Sequence, residues 1–413
     1  MGLTDMAYQI VTMTDPHSFF CRFQWLPQKV SIGIASAAMT QVQGFDCDVL
    51  VVGAGIAGAS LAAELAGHRN VRIIEAEDNP ARHATGRSAA LWHETYGGPQ
   101  IQPLTIAGKP VIENPDPDFN ETSFLSPRPA VTIGLAAEKA GVEKFVATFS
   151  AQGVDVRPLD HAGICEHVPG LRSEWVHGAI EPDCGDIDVA GLHAAYLRKA
   201  KRRGAELVLR GAFQRASWRD GGWDVDTAAG PLRARTLVNA GGAWADEIAQ
   251  NSGIRPVGIQ PYQRTIVQLR LGIATPAHLP LTIHVGGEFY FKGEGEGRVW
   301  LSPHDETPVE AGDVAPDELD VAIAIDRFEH VVDWPIAAVE RKWAGLRSFA
   351  PDRLPVFGVD PANDQFFWCA GQGGFGIQTA PAIAALCAAA LGAPADPAYG
   401  AIASNIFTPA RFA

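Results

Sequence analysis

Gly53-Ala-Gly55-Ile-Ala-Gly58 directly follows the apolar run Asp48-Val-Leu-Val-Val52, and the alanine-rich stretch Ala59 to Ala66 comes next. A second apolar run, Val71-Arg-Ile-Ile74, ends in Glu75. A strand, a glycine turn, a helix and a second strand closing on an acid about 20 residues on are the parts of a dinucleotide-binding unit. Gly53 permits the tight turn, Gly55 lets the backbone approach a pyrophosphate, and Gly58 lets the helix pack on the strand. The helix N-terminus then faces the phosphate charge. Glu75 is placed to accept hydrogen bonds from ribose hydroxyls. Glycine-rich turns are common, so the weight lies in all five features standing in register.

The chain has 413 residues, enough for two domains with large cores. Its formal charge of −14 argues against nucleic acid or an anionic membrane as partner. Cys21, Cys47, Cys165, Cys184, Cys369 and Cys387 form no CxxC pair and read as reduced thiols of a cytoplasmic protein. No HxxxH spacing or Cys/His cluster stands out along the chain, so no metal site is expected. No apolar run approaches the ~20 residues of a membrane helix. Residues 1–44 share none of the patterning that starts at Phe45. Val30 to Met39 reads either as a poor secretion signal or as part of an overextended start with Met39 as the first residue. The second reading fits better, because a dinucleotide-binding strand ordinarily begins within a few residues of the N-terminus.

After Glu75 the strand–helix alternation breaks. Ala130 to Gly134 predicts a strand and Ala136 to Gln152 a helix. Asp188 caps a predicted helix from Val189 to Arg203. Trp218-Arg-Asp-Gly-Gly-Trp223 predicts a hairpin, and Phe289 to Lys292 with Val299 to Leu301 another. Thr236 to Asn239 is a strand before a helix starting near Trp244, and Asp305 to Asp320 reads as an exposed acidic loop. Near the end, Gln365 to Ala370 is a strand, Gly371-Gln-Gly-Gly-Phe-Gly376 a glycine loop, and Ile377 to Leu391 a small-residue helix. Such a loop admits a phosphate or a flat ring. The two glycine segments are expected to flank one cofactor. Hairpins interrupting the sheet favour FAD over NAD, although an NAD-dependent dehydrogenase remains a rival.

Thr85-Gly-Arg-Ser-Ala-Ala90, Val238-Asn-Ala-Gly-Gly-Ala-Trp244, Trp343-Ala-Gly-Leu-Arg-Ser-Phe349 and Gly371-Gln-Gly-Gly-Phe-Gly-Ile-Gln-Thr379 occur in this order. With them, the chain from Phe45 onward resembles the D-amino-acid oxidase/glycine oxidase superfamily of flavoproteins, and within it the bacterial FAD-dependent D-arginine dehydrogenases. The resemblance implies an α/β fold. A Rossmann-like FAD-binding domain is built from discontinuous segments (45–120, 180–250 and 345–405). A substrate domain with an antiparallel sheet (121–179 and 251–344) lies over the flavin. The cofactor-binding positions it implies are Gly53, Gly55, Gly58, Glu75, Arg87, Ser88, Ala89, Ala90, Gly241, Gly373, Gly374, Gly376, Ile377 and Gln378. It places Arg264 and Arg347 on the substrate carboxylate, a role that suits planar guanidinium groups.

By the same resemblance Tyr290 hydrogen-bonds the substrate, though ordinary strand packing would also explain it. Tyr96 sits on a mobile lid, with Gly97 and Gly98 as its hinge. Gln378 lies near the substrate side chain or else caps a helix. His93 is a solvent-exposed lid histidine or, less simply, a catalytic base. The glutamate that holds a guanidinium in D-arginine dehydrogenases is replaced here by Ala130, and two polar lid positions become Leu91 and His93. Neutral D-amino acids are therefore expected over cationic ones, unless Glu94 or Glu288 compensates. The implied reaction is oxidative deamination with non-covalent FAD. Its electron acceptor is open among a quinone, an electron-transfer protein and O2. Alternatives are a sarcosine- or glycine-type amine oxidase, a 2-hydroxy acid dehydrogenase, and a non-catalytic flavin-binding subunit.

Overall fold

The computed structural model describes residues 44–275 and 278–413. The candidate start at Met39, the extension before Gly44 and Cys21 lie outside the described residues. The apolar run before the fingerprint forms the strand Cys47–Val52 at the centre of an eight-stranded sheet. It pairs in parallel with Val71–Ile74 on one side and Gly230–Asn239 on the other. Phe366–Ala370 extends the parallel set beyond Asn239, and the Trp218/Trp223 hairpin adds antiparallel strands at the other end of Gly230–Asn239. The fingerprint helix Ile56–Leu65 is almost wholly buried. Its alanines let the C-terminal helix Gly376–Ala390 and the helix Val189–Arg202 pack closely, and all three contribute to one core.

A second, nine-stranded sheet carries strands from 130–181 and 260–349. It is antiparallel except where Leu281–His284 runs parallel to Ala130–Leu135. Its backbone is the pairing of two long strands, Gln260–Leu271 and Ile336–Phe349. The architecture is mixed α/β, as the sequence predicts, and Asp188 caps its helix through the backbone N–H of Gly191. The acidic segment is largely exposed and leads into the helix Glu318–Glu329, but Asp305 departs from the expectation: its carboxylate accepts the backbone N–H of Thr265 at 2.7 Å and its hydroxyl at 3.0 Å. Among the described residues no helix is long and apolar enough to cross a membrane. The described cysteines are unpaired.

Candidate active site

A cavity of about 400 Å³ runs between the fingerprint and the C-terminal glycine loop. Gly53, Gly55, Ile56, Glu75, Arg87, Ser88, Ala89, Gly241, Gly373, Gly374, Gly376 and Ile377 line it, as do Arg264 and Arg347. The fingerprint helix has no acid in its first turn and its N-cap, Gly55, supplies no side-chain bond, while Thr85 Oγ1 accepts the Ile56 N–H. Its N-terminus turns the positive end of the helix dipole toward the cavity, which suits a pyrophosphate. Glu75 is already ordered, accepting the Ala54 N–H at 2.8 Å. The C-terminal helix also starts without a side-chain cap beside the cavity. The residues present fit FAD.

Strand register explains the arginine pair. Arg264 stands opposite Gly345 and Arg347 opposite Tyr262. Side chains two residues apart share a face, so both guanidinium groups emerge on the same side of the sheet as diagonal neighbours. Arg264 donates from Nε to the Asp305 carbonyl at 2.8 Å and from Nη2 to Glu306 at 3.1 Å. Its buried Nη1 has no partner among the described residues. Burial, and then repulsion from Arg347, push its pKa down to about 10, which leaves it charged near neutrality. Arg347 donates from Nη1 to the Tyr96 hydroxyl at 2.9 Å. Burial works against its charge, but neighbours including Tyr96, Tyr290 and Glu306 outweigh it and raise its pKa. The Tyr290 hydroxyl is buried and unpartnered as well. Two cations and two phenols thus converge with donor capacity unmet, an arrangement that suits a carboxylate.

The glycine loop fits round this cluster. A Cβ on Gly374 would stand 2.0 Å from the Tyr96 hydroxyl and 3.0 Å from Arg347 Nη1. The loop is tied to the arginine strand by a bridge between Gln372 and Phe349. Gly58 and Ala90 do not line the cavity. Gly58 meets the turn at Gly53, and Ala90 bonds through its backbone to Ser88 and Ile187.

Two sequence expectations need correction. Gln378 neither faces a substrate nor caps a helix. Its amide is buried, accepting from His93 N and donating to Thr105 Oγ1 and the carbonyls of His93 and Tyr96. It ties residues 93–96 to the C-terminal helix. His93 is not solvent-exposed: it is 6% accessible, with Nε2 at 2.9 Å from Glu181. Glu181 also accepts the Glu94 N–H and the Thr95 hydroxyl. The fold thereby brings His93, Glu181 and Cys184 within 4.8 Å of one another, a cluster that local spacing hides. Neither Glu94, which accepts from the Gln102 amide, nor Glu288, largely exposed near His284, lines the cavity.

Glu181 is the principal residue that sequence reasoning missed. An acid closing the apolar strand Trp175–Glu181 was its only local signal. Thr85, whose hydroxyl accepts the Ile56 N–H, was missed too. Burial opposes ionisation of Glu181, but His93, Thr95 and Cys184 together lower its pKa to about 2. A depressed carboxyl stabilises the fold above its unfolded value of 4.5, and that contribution is lost as pH falls through the folded value of about 2. Glu181→Gln is expected to lower stability near neutrality by roughly 3 kcal/mol, the cost of breaking a buried pair. The Tm gap to the wild type should narrow between pH 4.5 and 2, as thermal melts would show.

The family described as FAD dependent oxidoreductase (DAO) matches residues 48–390. Hydrogen cyanide synthase subunit HcnC of Pseudomonas aeruginosa is 25% identical, over 80% of this chain and 89% of its own. Glycine oxidase of Geobacillus kaustophilus is also 25% identical, over 81% and 90%. The crystal structure of that glycine oxidase superposes with a TM-score of 0.76 at 22% identity, covering 88% of this chain and 98% of its own. Other relatives are longer: the chain spans 50% of the bifunctional protein ThiO/ThiG of Synechocystis and 30% of human dimethylglycine dehydrogenase.

Proposed function

This chain belongs to the FAD dependent oxidoreductase family, and within it we propose oxidative deamination of neutral D-amino acids to 2-oxo acids and ammonia. The observation that carries the reading is the pair Arg264 and Arg347 on one sheet face beside the glycine-lined cavity, with Arg264 Nη1 and the Tyr290 hydroxyl unpartnered. Preference for the D-enantiomer rests on the resemblance of the motifs. Preference for a neutral side chain rests on the surroundings of Tyr290, where Ala89, Ala130, Ile266 and Leu281 form one apolar cluster flanked by Leu91.

In this reading Arg264 and Arg347 clamp the substrate carboxylate, Tyr96 fixes Arg347, and Tyr290 hydrogen-bonds the substrate. Two guanidinium charges beside the bound ammonium lower its pKa, so the amine loses its proton to water without a strong protein base. Bound FAD, held non-covalently, supplies the two-electron acceptor for the Cα hydride. Water then hydrolyses the imino acid.

Anaerobic addition of D- and L-amino acids tests this. Neutral D-amino acids should bleach the flavin absorbance, with D-leucine, D-methionine or D-phenylalanine giving a higher kcat/KM than D-arginine. The opposite order overturns the side-chain assignment, and no bleaching with any amine discards the reading. A second reading, oxidation of glycine or an N-methylated glycine, is favoured by relatives named glycine oxidase and dimethylglycine dehydrogenase. Faster bleaching by sarcosine than by every D-amino acid would select it.

A further inference from the structure

Glu181 stands directly opposite Ala130 in the antiparallel pair of Ala130–Leu135 with Trp175–Glu181. Cross-strand partners share a face. Ala130 packs in one cluster with Ala89, Ile266, Tyr290 and Cys184, and two of these, Ala89 and Ile266, also line the cavity. The Glu181 carboxylate therefore shares a face with Ala130, whose cluster reaches the cavity through Ala89 and Ile266, and it is only 3% accessible. It is fully engaged. One oxygen accepts the Glu94 N–H at 2.8 Å, and the other accepts the Thr95 hydroxyl at 2.9 Å while lying 2.9 Å from His93 Nε2. His93 is itself held through its backbone by Gln378.

We propose that His93 sets the preference for neutral side chains by occupying Glu181, the buried carboxylate beside Ala130. The inference rests on the reading that this pocket takes an amino acid. A buried carboxylate is costly unless donors or cations partner it, so it takes any cation that reaches it. His93 already fills that place from inside the protein, with Nε2 at 2.9 Å from the carboxylate. A substrate ammonium or guanidinium would have to displace the imidazole, leaving either His93 or itself without a partner. Removing the imidazole opens space beside the small Ala130 side chain and leaves Glu181 short of a partner. The pocket would then favour a side chain that ends in a cation.

The test compares D-lysine with D-norleucine, which has the same carbon chain without the terminal amine. Flavin reduction is measured for the wild type, His93→Ala and the double variant His93→Ala/Glu181→Gln. The kcat/KM ratio of D-lysine to D-norleucine should rise at least tenfold in His93→Ala and return to the wild-type ratio in the double variant. An unchanged ratio in the single variant, or an equal rise in the double, overturns the proposal. If His93→Ala does not hold flavin, His93→Asn retains a hydrogen-bonding group without the imidazole, and the ratio should rise several-fold; no rise overturns it. Binding keeps this separate from the function. Kd values for hexanoate and 6-aminohexanoate, read from the shift of flavin absorbance, need a carboxylate pocket but no turnover. A wild type reduced by no amino acid would sink the proposed reaction. A tenfold shift of the Kd ratio toward 6-aminohexanoate in His93→Ala would still uphold the role of His93, and no shift would end it.

Discussion

Replacing Arg347 by alanine should lower kcat/KM for the best amino acid substrate by about a thousand-fold. Losing one partner of a buried, hydrogen-bonded charge pair costs about 4 kcal/mol, and each 1.36 kcal/mol is a factor of ten. Among the described residues Arg347 has a single side-chain partner, the Tyr96 hydroxyl. Its removal should therefore leave flavin content and Tm close to wild type, placing the loss on the substrate. Tyr96→Phe removes only that hydroxyl and should cost about tenfold or less, the worth of one hydrogen bond. Arg347→Lys keeps the charge but not the planar fork and should fall between the two. Arg264→Ala is a less clean variant, because it also leaves the Asp305 carbonyl without its donor and Glu306 with Arg353 as its remaining cationic partner. Its loss of activity should come with a lower Tm. Stopped-flow reduction under anaerobic conditions measures the first effect and thermal melting the second. Arg347→Ala within tenfold of wild type would remove Arg347 from the carboxylate clamp.

The elements of this fold were legible wherever the signal was local. The run before Gly53, the Trp218/Trp223 hairpin, the Asp188 cap and the C-terminal strand–loop–helix can each be read within about 20 residues, because turn chemistry and side-chain periodicity act over that distance. Arg264 and Arg347 were legible as residues, but their common face was not. It depends on the pairing of Arg264 with Gly345, a register set by two strands far apart in the chain. The same holds more strongly for His93. Its local surroundings, Leu91 to Gly98, are those of a polar lid, and its burial follows from Glu181, which another strand delivers. Gln378 was misread for a related reason: a polar residue at a helix start has a local use as a cap, yet here it reaches back to residues 93–96. Tertiary structure overrode a sound local argument at the places where a polar side chain had a distant partner available.

Gly58→Ala should strip the protein of FAD while leaving a folded chain. A Cβ at this position would stand 2.0 Å from the Gly53 carbonyl oxygen and 3.1 Å from Val51 Cγ1. Neither neighbour can yield cheaply. The first is backbone of the turn itself, and Gly53, at φ +102°, is wedged 2.5 Å from the Ala240 carbonyl when a Cβ is placed on it. The helix must therefore move away from the strand, carrying with it the N-terminal N–H groups that line the cavity. Overpacking of this kind costs about 1–3 kcal/mol of stability, but the displaced donors are also those offered to the pyrophosphate. FAD affinity should consequently fall about a hundred-fold or more, beyond what the drop in Tm accounts for. Gly141→Ala serves as control, since its Cβ would make only ordinary contacts with Val285 inside the helix Lys139–Ser150. It should keep its flavin and melt at or slightly above the wild-type temperature. Absorbance at the flavin band after gel filtration, with titration of the apoprotein by FAD, reads both variants. Full flavin retention in Gly58→Ala would show that the helix start does not hold the cofactor. Equal loss in Gly141→Ala would point to general instability instead.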